Sequence, residues 1–509
     1  MKILFFFTAH PRLEMIFKIQ SEILTKHVLK GDEVYIVVDF ESDIVKSQVN
    51  YNSVKSSLYY YKTMFHNMLE YLHSKGGRIT VIDYKPIKKL KKTLSFDSLS
   101  ELKSYTFEEY GLGMCAASSL ISRIRDHHLD TGAYIDQVNR ELNNSIDVFT
   151  TIKHYHNTIA PNLVYLFNGR MSIYAPIVLY CEKNNLSFKT FEFSFSFDKY
   201  HLLHNKTPHD REYMNEEIKF LWNDKEISLS EKQEIGVTFF ENQRGGISTV
   251  EQSYIGLQNK EVEEAQLKGK EVITFFNSST DEFAAVPGWE DYMYVYDNEV
   301  DAIFNICQHY RNDKSKIFTL RIHPNLKFID NTQNRELLKL KQLKNLIVFE
   351  AHSPIRSYSL LDKSDKVITF GSTIGVEACY YGKPVICLGL SFYENLDVAY
   401  IPKNKEELFC FLNDKNLQPK PKENALPYGY WFCSFGEPFS NHENGNITEE
   451  KYALTKKQRQ IGLLKKVGDL GSYKRALKVL NPKNDIFKKL KDPSFRRNLY
   501  REFAPWRIK

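Results

Sequence analysis

The chain has 509 residues, 42% of them apolar, 26% charged and 14% aromatic, a length that exceeds one core and predicts at least two domains. Its 69 basic and 63 acidic residues leave a net charge of +6, too thinly spread over the chain to mark a nucleic-acid binder. No stretch approaches about 18 consecutive apolar residues, which excludes a membrane-spanning helix, and the apolar run after Met1 is too short for a secretory signal.

In chain order, "KILFFFTA" (2–9) reads as a buried strand and Glu14 to Leu29 as a helix, with Gly31 as its stop. "DEVYIVVDF" (32–40) is the next strand, followed by a helix-compatible run ending at "HSKGG" and the strand "RITVIDY" (78–84). Strand, helix, strand, helix, strand implies right-handed parallel crossovers and a Rossmann-like sheet. A charged, mostly helical insertion spans about 90–160. The rhythm then resumes with the strand "NLVYLFNGR" (162–170), a helix through Asn185 and the strand "SFKTFEF" (187–193). Residues 215–268 are polar and read as helical, a link between the two halves of the chain. From "EVITFFNSS" (271–279) the alternation repeats through strands at 316–322, 346–350, 366–370 and 384–388, with helices between them. The fold class is therefore α/β: two doubly wound Rossmann-like domains, over 1–265 and 266–410. An extension over 411–509 ends in the basic, aromatic-rich "FKKLKDPSFRRNLYREFAPWRIK". Such a mixture suits a terminal helix packed on the body or a foot on an anionic membrane surface.

The seven cysteines show no CxxC or other metal spacing and most sit in apolar runs, as reduced core thiols do. His201, His204 and His209 fall in a polar loop without a metal-ligand pattern, so no metal site is expected. "GLGMCA" (111–116) has a dinucleotide-loop spacing but no buried strand before it.

Ligands of open α/β sheets bind beyond the carboxyl ends of strands, which singles out three loops of the second half. The first, "NSSTDE" (277–282), offers Ser278 and Ser279. In the second, Pro324 stops the strand "IFTLRI" and places His323 at the sheet edge with Arg321 nearby, suited to a phosphate oxygen. The third runs from "KVITF" into Gly371, Ser372 and Thr373 before a helix. There a glycine admits close backbone approach, a hydroxyl is expected to cap the helix, and free amides make an anion site. Glu377, one turn inside, is placed to meet ribose hydroxyls. In the first half, the strand ends supply Glu192, Asn168 with Arg170 in "FNGR", and His10 with Arg12.

"GSTIGVEACYYGKPVICLG" resembles the E-A-x-x-x-G-x-P-V-I element of GT-B glycosyltransferases. With "RIHPN" it is similar to capsular-polysaccharide biosynthesis transferases and, more loosely, to bacterial sialyltransferases and Kdo transferases with their His-Pro and Ser-Ser/Thr motifs. The same elements occur in teichoic-acid polyol-phosphate polymerases. The specific part covers about 270–400. The resemblance implies a GT-B enzyme, metal-independent and without a resident cofactor, whose second domain binds a nucleotide-sugar donor through Ser278, Ser279, Arg321, His323, Pro324, Gly371, Ser372, Thr373 and Glu377.

An oligosaccharide or lipid-linked glycan acceptor then falls to the first domain, contacted by His10, Arg12, Asn168 and Arg170. Glu192 is the base candidate, and His323 steadies the leaving phosphate. The related sialyltransferases carry two acids and a glycine where Glu192 is followed by Phe193 and Ser194, a departure from their pattern. The expected product is a surface polysaccharide, made in the cytoplasm or at the inner face of the membrane. The donor stays open between a CMP-linked acidic sugar and a UDP- or GDP-sugar. Transfer of a polyol phosphate from a CDP donor, a non-catalytic sugar-binding subunit and a nucleotide-sugar epimerase are the alternatives on the same shell.

Overall fold

Apolar runs of four to six residues, too short for helices and flanked by amphipathic stretches, build two separate sheets. The computed structural model describes residues 1–8, 13–39, 54–85, 87, 93–196, 198–247, 258–263, 265, 267–289 and 291–440. The strands are β1 (Lys2–Phe7), β2 (Glu33–Val38), β3 (Arg78–Asp83), β4 (Leu163–Phe167), β5 (Phe188–Phe193) and β6 (Lys199–His204). They continue as β7 (Glu271–Phe276), β8 (Lys316–Arg321), β9 (Leu346–Phe349), β10 (Lys366–Thr369), β11 (Val385–Cys387) and β12 (Glu437–Pro438). The first sheet runs β12-β6-β5-β4-β1-β2-β3 and the second β11-β10-β7-β8-β9.

The helices begin with α1 (Leu13–Leu29) and α2 (Val54–Ser74). The 90–160 region carries α3 (Leu99–Ser104), α4 (Leu112–Ile124) and α5 (Ile135–Ile159). Then come α6 (Ala175–Lys183), α7 (Arg211–Asn223), α8 (Leu229–Gly245), α9 (Thr280–Ala284), α10 (Glu299–His309) and α11 (Thr332–Lys339). The last are α12 (Ser357–Lys363), α13 (Ile374–Tyr380), α14 (Lys405–Asn413) and α15 (Leu426–Ser434).

Contacts divide the chain into two units. One, of Ala9–Gly31, Asp39–Arg78 and Asn446–Lys509, holds α1 and α2 among its described residues. There Phe17 meets Tyr61 edge-on at 5.9 Å and Gln20 Nε2 donates to the Tyr61 hydroxyl at 3.1 Å. The other, of Met1–Thr8, Asp32–Val38 and Ile79–Gly445, holds both sheets.

Within that larger unit, β1 pairs in parallel with β2 and β4, and β4 with β5. The second sheet is parallel throughout, in register Phe276↔Arg321 and Thr369↔Phe276 at its carboxyl edge. Unbroken apolar strands such as Val272 to Phe276 follow from covering on both faces. One face of the second sheet packs Ile273, Phe275, Phe318 and Ile368 with Ile303 and Leu337. The other packs Val272, Val367 and Val385 with Phe239, Phe240, Trp431 and Phe432. Two α/β halves, each built on its own sheet, are thus present as expected from the sequence.

Two features depart from the expected organisation. After β5 the chain reverses into β6, which pairs antiparallel (Glu192↔His201), where the residues had suggested a loop. Residues 411–440 do not begin a separate extension. Tyr428, Trp431 and Phe432 bury themselves on α7 and α8, and β12 adds to β6 in the first sheet (Glu437↔Tyr200). The α8–α15 crossing is possible because two glycines meet there. A Cβ on Gly429 would lie 2.5 Å from the Gly236 carbonyl oxygen. The basic stretch 487–509 and the membrane foot expected of it lie outside the described residues, and no described helix is long and apolar enough to cross a membrane.

Candidate functional site

The second sheet has its topological switch point between β7 and β10, because the chain leaves β7 toward β8 and β9 and later returns to β10 on the other side. Ligand crevices of open α/β sheets form at such points. The loops that succeed β7, β8 and β10 converge here, and hydrogen bonds join them. Asn277 Oδ1 accepts from the His323 amide at 2.8 Å, and the Ser278 hydroxyl donates to the Phe370 carbonyl at 3.1 Å. Asn277, Ser278 and Ser279 are buried, and Ser278 acts here as a brace between loops.

His323 caps the short 3-10 turn Pro324–Leu326, its Nδ1 accepting from the Asn325 amide at 3.2 Å. Burial, reinforced by the Arg321 and Arg125 charges, holds the imidazole near a pKa of about 4, so it is neutral at pH 7. With Nδ1 an acceptor, the proton resides on Nε2, which makes that atom a donor. His323 keeps a partial opening to solvent. It therefore has the chemistry expected of a group that meets an anionic oxygen.

Other candidates on this sheet are placed differently from the sequence-based expectation. Arg321 is buried and turns away from the edge. Its guanidinium donates to the Glu350 carbonyl at 2.5 Å and the Ser353 carbonyl at 3.3 Å, bracing the loop after β9. Gly371, at φ +95°, serves a close approach within the protein: a Cβ would lie 2.2 Å from the Leu390 carbonyl oxygen. Neither Ser372 nor Thr373 caps α13. Thr373 holds the N-cap position in helical geometry without a side-chain cap bond. The Ser372 carbonyl accepts from the Tyr393 hydroxyl at 2.6 Å, while Ser372 is partly exposed and Thr373 exposed. Glu377 is buried and accepts a hydrogen bond from Tyr358 of α12, with burial raising its pKa to about 7. The α-helical periodicity that puts it one turn in also points it at the core rather than toward a ribose.

The first sheet contributes a second set of strand-end groups. Asn168, at φ +57°, donates to Glu192 Oε2 at 2.5 Å, and the Phe193 amide donates to Glu192 Oε1 at 2.9 Å. The Asn168 carbonyl oxygen accepts from the Arg170 amide at 3.2 Å and lies 3.3 Å from His209 Nε2. Burial and the Arg170 charge depress His209 to about 3, so the ring is neutral and Nε2 is the donor in that contact. Asn168, Arg170 and Glu192 thus come together as one cluster. His10 and Arg12 lie outside the described residues. His201 is buried on β6 between Phe195 and Phe435, and His204 is exposed at its end; no metal-holding group of side chains occurs among the described residues.

Several residues at the site escaped notice in the sequence. Arg125, at the end of α4, ion-pairs with buried Asp281 and donates to the Ser279 hydroxyl at 3.1 Å. Asp126 accepts from the Thr332 amide at 3.0 Å, and Lys103 donates to the Ala284 carbonyl at 2.9 Å. The helical insertion is thereby tied to the loops of the second sheet. Glu282 opens to solvent beside protein walls, its Oε1 accepting from Asn325 at 2.8 Å; burial and Asp281 raise its pKa, against Arg125 and Arg170. Glu299, at the start of α10, is buried under the first loop and accepts from the Ser278 amide at 3.1 Å; burial raises its pKa to about 8. The run "RDHH" at 125–128 and the paired acids ending "NSSTDE" were visible signals for the first group. An acid at a helix start, as Glu299 is, gives none.

Beside Arg170 and His209 lies a cavity of about 540 Å³. Met114 and Ser118 of α4, Arg170, Met171 and His209 from the first-sheet side, and Trp289 from the second-sheet side are among its lining. The Trp289 indole N–H donates to the His209 carbonyl at 3.0 Å, joining the two walls.

Residues 294–401, which include His323 and the 371–377 stretch, match the family model described as Capsule polysaccharide biosynthesis protein. No curated protein matches the chain in sequence. Among solved structures, the chain is similar to the β-Kdo 2,4-transferase KpsC of Thermosulfurimonas dismutans at 14% identity, over 53% of this chain and 79% of that one, with a TM-score of 0.34. It is also similar to the UDP-GlcNAc 2-epimerase of Neisseria meningitidis bound to UDP-GlcNAc, at 12% identity over 91% and 100%, with a TM-score of 0.23. The segment that matches the capsule polysaccharide biosynthesis model thus carries the loops after β8 and β10 of the second parallel sheet.

Proposed function

We propose that the chain is a glycosyltransferase that moves a sugar from a nucleotide-sugar donor to a growing surface polysaccharide, with a CMP-linked acidic sugar as the leading donor. The observation that carries this reading is His323, a neutral, partly exposed imidazole at the switch-point crevice inside the capsule-type segment. In this reading His323 donates to a donor phosphate oxygen. The negative charge that grows there as the glycosidic bond breaks strengthens the bond in the transition state. Ser372, partly exposed, and Thr373, exposed, take further donor contacts from the adjacent loop. Glu192, held in orientation by Asn168 and the Phe193 amide, receives the acceptor hydroxyl proton.

The test is thermal denaturation of the wild type and His323→Ala with CMP, CDP, UDP or GDP. A ligand that binds the native state raises the melting temperature by mass action. Stabilisation by CMP, lost in the variant, is the expected result. A response to UDP or GDP alone would retain the transferase and replace the donor. Stabilisation by CDP, with turnover of a CDP-polyol, would move the reading to phosphoryl transfer. Silence toward all four nucleotides would overturn it.

A further inference from the structure

Among the described residues, Arg170 is the ionised group at the cleft whose neighbours leave it without a direct partner. Its guanidinium makes no hydrogen bond and no ion pair with any of them, and its Nε is buried. Three carboxylates influence it through space, Glu282 most, then Glu192 and Asp281. Each already has a direct partner: Asn325 for Glu282, Asn168 and the Phe193 amide for Glu192, and Arg125 for Asp281. His209, whose pKa the Arg170 charge helps to lower, is neutral and directs its Nε2 at Asn168. Leaving a guanidinium in this condition is costly, because burial strips water from the charge and no anion in direct contact takes its place. The three carboxylates relieve only part of that cost, since burial outweighs them.

Arg170 also lines the cavity of about 540 Å³, a size within the range of roughly 300–1,000 Å³ typical of small-molecule sites. The other charged groups of that lining lie elsewhere or are matched. Arg211 is ion-paired with Glu394, and Asp210 both caps α7 and accepts from Lys206 at 2.8 Å. Glu182, raised by burial, is near the same Lys206, and Glu212 is exposed. Apolar stretches of the walls come from Met114, Met171, Val178 and the Trp289 ring. Indole and thioether surfaces suit the C–H face of a pyranose, and a planar guanidinium suits a carboxylate or phosphate in bidentate geometry.

From this we infer that the cavity is the acceptor subsite and selects a glycan whose terminal sugar is anionic, its charged group held by Arg170 and its ring laid against Trp289. The inference rests on the transferase reading for the word acceptor, but not for the site itself. The anionic group is either a carboxylate or a phosphate; both offer two oxygens to one guanidinium.

The experiment uses the full-length protein and saturation-transfer NMR titrations with three disaccharides of one linkage. The first ends in glucose, the second in glucuronic acid and the third in glucose 6-phosphate. Nucleotide binding is titrated in parallel. Expected is tighter binding of one or both anionic sugars than of the neutral one, weakened about tenfold or more in Arg170→Gln and partly restored in Arg170→Lys. Which anionic sugar binds better assigns carboxylate or phosphate. Equal binding of the neutral and anionic disaccharides by the wild type overturns the inference, and needs no variant. So does retention of the anionic preference in Arg170→Gln, or loss of nucleotide binding in that variant, which would move Arg170 to the donor. Anionic-sugar binding without any nucleotide binding would sink the transferase reading and leave the subsite standing.

Discussion

The two sides of the cleft treat their charged strand-end residues in opposite ways. On the second sheet, Arg321 is fastened to the Glu350 and Ser353 carbonyls, Glu377 to Tyr358, and Asp281 to Arg125, so these charges are committed inside the protein, while the neutral His323 and Ser372 stay partly exposed. On the first sheet the carboxylate is fastened and the guanidinium of Arg170 is not. The difference shows that a charged side chain near a crevice is no guide to binding until its internal partners have been counted. A charge already matched inside the protein has little left to give a ligand, whereas an unmatched one gains most from it.

This contrast can be broken hardest at Arg125. Truncation to alanine leaves Asp281 buried without its cation, and we expect a loss of about 3 kcal/mol in urea-monitored unfolding. If instead stability holds and only nucleotide affinity falls, Arg125 belongs with the ligand-facing groups and the second sheet has a free cation after all.

A smaller effect is expected from Tyr358→Phe, which removes the donor to buried Glu377 without changing the packing. The expected cost is about 1–2 kcal/mol, with nucleotide affinity unchanged. A drop in nucleotide affinity with no loss of stability would return Glu377 to the donor site.

A further effect is a matter of pH. Glu299 is raised in the folded state to about 8, far above its unfolded value, so the native protein holds a proton there that the unfolded chain releases. Its contribution is fully present below the unfolded pKa and is lost as pH rises toward 8. The melting temperature should therefore decline from about pH 5 to 8 by a few degrees, and the decline should flatten in Glu299→Gln, read by scanning calorimetry. A slope that persists in the variant would assign it to other groups.

Much of the fold could be read from the residues. Mostly apolar runs such as "VITFF" and "KVITF" belong to strands covered on both faces, and their alternation with helices left a doubly wound topology as the natural solution. His323 was legible for a related reason: Pro324 ends the strand locally, so the position of its neighbour at the sheet edge needs no distant contact. β6 and β12 were not legible. "KYHLLH" has the polar character of a loop, and a two-residue strand exists only because its partner is already in place.

The residues alone thus set whatever depends on neighbours in the chain: strands, helices, their order, and the loops at which ligands of such sheets bind. Which polar residues of those loops are committed was settled by packing in three dimensions. Arg321 and Arg170 both sit where a strand ends, yet one reaches two carbonyls and the other, among the described residues, reaches none. Hydrogen-bond partners more than twenty residues away make that difference, and no local pattern encodes them.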